Sequence, residues 1–312
     1  MLRREFIARL AGGLAAGSLA DPAGLLAART RHVSRPYYLL ERMGVSSQSF
    51  HNYFYSRQAE SGGEPHDMLA LLDFPEMVAD RYKIHHLEFA SPHFGSMDPT
   101  YIQALRMQLI RAGSQLVNIA VDIEELRRGG GLSDPDEAVR ERVVKAAMAW
   151  MDIAARLRAR SIRCDPGRLN PQNLEPTISS YQALAAYGRR RGVRVLVENY
   201  GGACLENSVA LVDLIKRVKS RYFGALPDFG NFLDQNARAR GLPLLFPYAL
   251  TACHATGLDF DAQGSEAKFD FSACVAIAKR ARFCGTYCVE YQGLGDPYQG
   301  VQSVVDELVR NL

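Results

Sequence analysis

Four side chains able to hold a divalent cation stand at the ends of four successive apolar runs. Val195-Leu196-Val197 runs into Glu198, and Gly224-Ala225-Leu226-Pro227 into Asp228. Leu250-Thr251-Ala252-Cys253 then runs into His254, and Thr286-Tyr287-Cys288-Val289 into Glu290. Three carboxylates and one imidazole brought to one point would be costly alone, because like charges held close in a partly buried place cannot all stay ionised. One bound divalent ion resolves the conflict. Hard oxygens with a single imidazole suit manganese best, with magnesium, cobalt or zinc as the other options. Such an ion keeps positions open for substrate oxygens. A vicinal hydroxy-ketone could chelate it, which would polarise the carbonyl and acidify the neighbouring C–H. Glu198 and Glu290 could then take the proton from one side and return it on another.

Positioning four such groups together requires a particular architecture. Short apolar runs separated by helix-length segments read as buried parallel strands. Earlier runs of the same kind lie at Met43 to Phe50, Ile84 to Phe89, Leu116 to Val121 and Ser161 to Cys164. Helices are expected over 74–81, 101–112, 136–158, 179–190, 208–219, 242–248, 271–282 and 301–311, the third entered through Ser133-Asp134-Pro135. Eight alternations predict an α/β fold, a single (β/α)8 TIM barrel over residues 43–312, whose strand ends share one face. No Gly-x-Gly-x-x-Gly follows the first strand, and Gly129-Gly130-Gly131 is not followed by Gly-Lys-Ser/Thr, so neither nucleotide cradle is present.

The chain has 312 residues, 47% hydrophobic and 23% charged, with a net charge of +3. Its basic residues are scattered, which leaves no footprint for nucleic acid. Six cysteines form no Cys-x-x-Cys pair and read as packing residues. Arg3-Arg4 ahead of a weakly apolar run ending in Ser18-Leu19-Ala20 reads as a twin-arginine signal over residues 1–20, with 21–42 as a linker. The run is too short to span a membrane. The expected location is a bacterial periplasm, with no membrane association after signal removal; homo-oligomerisation is compatible with the sequence.

Glu198-Asn199-Tyr200-Gly201-Gly202 resembles the Glu-Asn-His-Gly motif of the xylose-isomerase-like sugar isomerase/epimerase superfamily. Pro227-Asp228-Phe229-Gly230-Asn231, Cys253-His254-Ala255-Thr256 and Gly285 to Tyr291 resemble its later strands in order, and the twin arginines resemble its exported branch. The resemblance implies that Glu198, Asp228, His254 and Glu290 hold one metal ion. It also implies that Glu198 and Glu290 are the catalytic proton-shuttling pair, as in tagatose-3-epimerase-like enzymes. Three positions depart from the pattern: Asn231 where those epimerases place a substrate-binding histidine, Thr256 where the exported branch has lysine, and Tyr200 where histidine is common. Glu88, His93 and Asn231 are the expected substrate contacts, with His51 a further loop histidine on the same face. Trp150 is expected in the core. The function expected is metal-dependent isomerisation or epimerisation of a small sugar or sugar derivative through an enediolate. A 3-keto-glycoside lyase using the same metal, and a non-catalytic sugar-binding barrel, are the alternatives.

Overall fold

In the computed structural model, residues 36–54, 68–127, 130–201 and 207–312 are described. The segment read as an export signal lies outside the described residues, as does Gly202. The eight apolar runs form eight parallel strands: β1 Met43–Ser46, β2 His86–Ala90, β3 Gln115–Val121, β4 Ser161–Cys164, β5 Arg194–Glu198, β6 Phe223–Leu226, β7 Ala252–Gly257 and β8 Thr286–Tyr291. They pair in the order β6-β5-β4-β3-β2-β1-β8-β7. The remaining gap, from β6 to β7, is spanned by parallel bridges from Ala225 to Ala249 and from Asp228 to His254. This is a single (β/α)8 barrel. Pro227 has no N–H to give a longer β6 ladder, but its carbonyl accepts from the His254 N–H at 2.9 Å.

Each strand is followed by a helix: α1 Phe74–Tyr82, α2 Pro99–Arg111, α3 Glu137–Leu157, α4 Glu175–Arg191, α5 Ser208–Val218, α6 Gln235–Leu245, α7 Phe271–Arg280 and α8 Pro297–Asn311. Asp136, Asn207, Asp234, Asp270 and Asp296 cap the starts of α3, α5, α6, α7 and α8 with their side chains, satisfying N–H groups that a first turn leaves without partners. Two corrections to the expected boundaries follow. The first strand ends at Ser46, and residues 47–53 continue as a 3-10 helix. Helix α6 begins seven residues before the expected 242, because the Asp234 cap nucleates it and Pro243 is tolerated inside it. Within the segment read as linker, Tyr37–Leu40 forms a helical turn that buries Leu39 and Leu40. Among the described residues no helix is long and apolar enough to cross a membrane.

The core has two parts. The larger packs the outer faces of the strands against the helices, and Trp150 belongs to it, meeting Phe94 edge-on. The smaller fills the barrel with Val117, Leu196, Leu226, Ala252 and Cys288. Four of these lie two residues before Glu198, Asp228, His254 and Glu290. Side chains two apart on a strand share a face, so the floor of the barrel and the polar layer above it come from the same inward-facing rows.

The loops after β3 and β4 touch at a point that only glycine suits. Gly167 has φ +76°, and a Cβ there would meet the Gly130 carbonyl oxygen at 2.4 Å. That same oxygen accepts the N–H of Arg168 at 3.1 Å, so the contact holds the rim of the barrel mouth. Gly167→Ala combines a positive-φ penalty with a backbone clash. It is expected to lower stability by about 1–3 kcal/mol, seen as a lower denaturant midpoint with the slope unchanged.

Candidate metal centre

Strands β5, β7 and β8 and the residues just beyond β6 deliver the four expected ligands to one buried point, with His254 inside β7. His254 sits at the middle of the cluster. Its Nδ1 lies 3.0 Å from Glu198 Oε1, 3.1 Å from Glu290 Oε2 and 3.4 Å from Asp228 Oδ2. Its Nε2 faces the other way, 2.9 and 3.1 Å from the two oxygens of Glu88. Glu88, Asp228 and His254 are almost wholly removed from solvent, and Glu198 and Glu290 nearly so.

Each carboxylate is held by neighbours. Asp228 Oδ2 accepts from the Thr256 hydroxyl at 2.6 Å, and Oδ1 from the N–H groups of Gly230 at 2.5 Å and Asn231 at 2.8 Å. Asn199, next to Glu198 in the sequence motif, accepts the Asp228 N–H at 2.8 Å and donates to the carbonyls of Asp228 and Asn231. It thereby ties β5 to the chain just beyond β6. Glu290 Oε1 accepts from the Gln292 amide at 2.6 Å. Glu198 Oε1 accepts from the Asn231 amide at 3.0 Å, while its Oε2 lies 3.0 Å from Arg163 Nε. The last contact is charge proximity without hydrogen-bond alignment, since both atoms are buried with no hydrogen-bond partner.

These environments push the acids apart. Burial works to raise Glu198, but the His254 and Arg163 charges outweigh it and hold the carboxyl at about 2. Burial raises Glu290 to about 7, with His254 opposing and Glu198, Asp228 and Glu88 adding to the rise. Burial also raises Asp228. Burial alone would lower His254, yet Glu88, Glu198 and Glu290 together hold it well above its ordinary value. Two cationic side chains, His254 and Arg163, thus face four buried carboxylates. The surplus negative charge, the hard oxygen donors and the orphaned Glu198 Oε2 all fit a divalent cation. Glu198, Asp228 and His254 can present atoms within 4.8 Å of one another, and so can Glu88, His254 and Glu290.

The expected substrate contacts fall into different places. Asn231 lines the cavity of about 930 Å³ above the cluster, together with Glu198 and Glu290. Glu88 lies below it, against His254. His93 is buried, with Nδ1 2.8 Å from Ser47 Oγ, Nε2 3.0 Å from His51 Nδ1 and its ring stacked on Phe54 at 4.0 Å. Its neighbour His51 lines the cavity instead. Arg163 and Asp165, 2.6 Å apart, also line the cavity and were not singled out from the sequence. The available signal was a charged residue inside the four-residue buried strand β4, with an acid two positions on.

A family profile described as Xylose isomerase-like TIM barrel matches residues 78–308. No curated protein matches the chain. Among solved structures, a xylose isomerase-like TIM barrel protein from Mycobacterium smegmatis in complex with magnesium is similar at 16% identity and TM-score 0.62, covering 87% of this chain and 98% of that one. D-psicose 3-epimerase from Clostridium cellulolyticum H10, solved with D-tagatose, is similar at 16% identity and TM-score 0.61, over 86% and 96% of the two chains. An AP endonuclease, family 2, from Brucella melitensis is similar at 17% identity and TM-score 0.61, over 83% and 96%. At these identities the likeness is one of fold.

Proposed function

Because this chain belongs to the xylose isomerase-like TIM barrel family, we propose that it is a divalent-metal-dependent isomerase or epimerase of a sugar or sugar derivative. One observation carries the reading: three carboxylates and one imidazole nitrogen converge at the carboxyl ends of four successive strands, under a cavity of substrate size. Solved neighbours bound to magnesium and to D-tagatose support it. Glu198, Asp228, Glu290 and His254 Nδ1 would hold the ion. When bound, it would polarise a substrate carbonyl and acidify the adjacent C–H.

The protein's own groups supply the rest. Glu198 has its charge compensated by Arg163, whereas the neutral Gln292 amide and the shared His254 face Glu290. Glu290 is therefore the better proton acceptor and Glu198 the steadier anchor. Asn231, donating to Glu198 Oε1 from the cavity wall, replaces a histidine of related epimerases and offers an amide to a substrate hydroxyl.

A second reading, elimination from a 3-keto-glycoside, is favoured by the cavity itself. At about 930 Å³, with Tyr53, Tyr200 and Tyr291 in its walls, it has room and stacking surfaces for more than one ring. One experiment separates the readings. Manganese-loaded protein is incubated in deuterated water with ketohexoses, aldoses and 3-keto-glycosides, and products are read by NMR and mass. Deuterium next to the carbonyl of an epimer or isomer is the expected result. A released aglycone selects the lyase, and tight sugar binding with no exchange selects a binding protein.

A further inference from the structure

Glu88 lies on the far side of His254 from the cavity, 166 residues away in sequence. It is completely buried and is not among the residues lining the cavity above the cluster. Three donors define its environment. Ser46 Oγ donates to Oε1 at 2.8 Å, Asn118 Nδ2 donates to Oε2 at 2.7 Å, and His254 Nε2 lies 2.9 and 3.1 Å from the two oxygens. The Asn118 amide cannot turn over freely, because its Oδ1 accepts from Ser161 Oγ at 2.8 Å, and Thr251 Oγ1 lies 2.7 Å from that same hydroxyl. A hydrogen-bonded chain therefore runs from the barrel floor up to one carboxylate. A carboxylate can only accept, so the atom of His254 facing it must carry hydrogen.

We propose that Glu88 is the positioning residue of the metal centre: it takes the Nε2–H of His254, sets the tautomer and leaves the Nδ1 lone pair for the cation. Glu88 acts through His254 and is not itself a ligand or a substrate contact. The geometry separates the two roles, since Nδ1 is surrounded by Glu198, Asp228 and Glu290 while Nε2 has Glu88 alone within reach. An imidazole oriented by a carboxylate at its second nitrogen binds metal more strongly, and losing such a partner typically costs about 10- to 100-fold in affinity. Ser46, Asn118 and Ser161 hold the carboxylate in place. They come from β1, β3 and β4, so three strands outside the ligand set shape the site.

This inference rests on the metal reading above, and the test keeps the two apart. The full chain, stripped of metal, is titrated with Mn²⁺ by calorimetry, and the metal-free melting temperature is recorded. Glu88→Gln preserves shape, but its amide must point N–H either at Asn118 Nδ2, donor against donor, or at His254, forcing the wrong tautomer. The expected result is a roughly 10- to 100-fold weaker Mn²⁺ affinity with the metal-free fold retained. Adding Asn118→Asp gives the new amide an acceptor, and the double variant is expected to recover most of the affinity. Unchanged affinity in Glu88→Gln overturns the inference. So does a loss that Asn118→Asp leaves in place, which would mark Glu88 as a ligand or as general packing. If Glu88→Gln does not fold, Asn118→Ala decides: a several-fold loss supports the role, and wild-type affinity overturns it. Failure of the unaltered chain to bind Mn²⁺ would instead remove the metal reading itself.

Discussion

Glu290→Gln is expected to slow turnover about 10²- to 10⁴-fold, the usual contribution of a positioned general base, while changing substrate affinity only a few-fold. The reason is local. Glu290 Oε1 is held by a neutral amide, so its Oε2 keeps the basicity that burial confers. The substitution keeps the shape and the Gln292 neighbourhood but removes the carboxylate charge with which this side chain can accept a substrate proton. Glu198→Gln should behave differently. Its carboxylate offsets Arg163 3.0 Å away, so the amide would leave that buried guanidinium with Asp165 as its one remaining close carboxylate, which costs stability as well as metal. Both side chains are placed to hold the ion, so metal affinity should weaken in each variant; at saturating Mn²⁺ the rate loss should persist in Glu290→Gln, whereas Glu198→Gln should lose fold stability as well. Steady-state kinetics with metal analysis of each variant decides it. A Glu290→Gln protein with wild-type kcat, or one whose loss lies wholly in KM, would remove Glu290 from the proton-transfer role.

The strand ends were legible because ligand and floor obey one rule. Leu196 and Glu198, Leu226 and Asp228, Ala252 and His254, and Cys288 and Glu290 are pairs two apart, so a buried apolar strand that ends in a polar residue announces an inward-facing group. Glu88 lacks that signature, since the residue two before it is the half-buried His86 and β2 runs on to Ala90, and its partner could not be read. Only closure of the barrel brings it to His254, and nothing local marks which imidazole nitrogen it meets. His93 was misleading for a related reason. A histidine just past a strand end suggests a substrate contact, but the 3-10 turn after β1 places Ser47 and His51 around it, and His51 takes the cavity wall. Helix α6 starts earlier than expected because the Asp234 side chain caps its first turn and Pro243 is accommodated inside it. Arg163 and Asp165 were hidden by the shortness of β4, which leaves no periodicity to show an inward charge.

Removing the metal should reveal the charge conflict that the sequence first suggested. Chelator-treated protein is expected to lose turnover to background, and Mn²⁺ at a hundredfold excess over its dissociation constant should stabilise the fold by about 2.7 kcal/mol, roughly 5 °C in melting temperature for a chain of this size. The gain should grow with pH. In the metal-free protein Glu290 and Asp165 are each raised to about 7, from ordinary values of 4.5 and 3.8. The folded state therefore holds protons that the unfolded chain releases, and stability falls as pH rises through that window. His254, raised above 6.5, contributes fully below that value and loses its contribution as pH climbs through the folded one. Glu198, held at about 2, acts oppositely, but its contribution is complete above pH 4.5 and is lost only on strong acidification. The metal-free protein should thus be most stable near pH 5 and decline toward pH 8. A bound cation replaces those protons, so the melting-temperature difference between loaded and metal-free protein should widen over the same range. Thermal scans at pH 5, 6, 7 and 8, with and without Mn²⁺, read both trends. A difference that stays flat with pH, or a metal-free protein more stable at pH 8 than at pH 5, would show that the carboxylates around His254 are not in electrostatic conflict and do not need a cation.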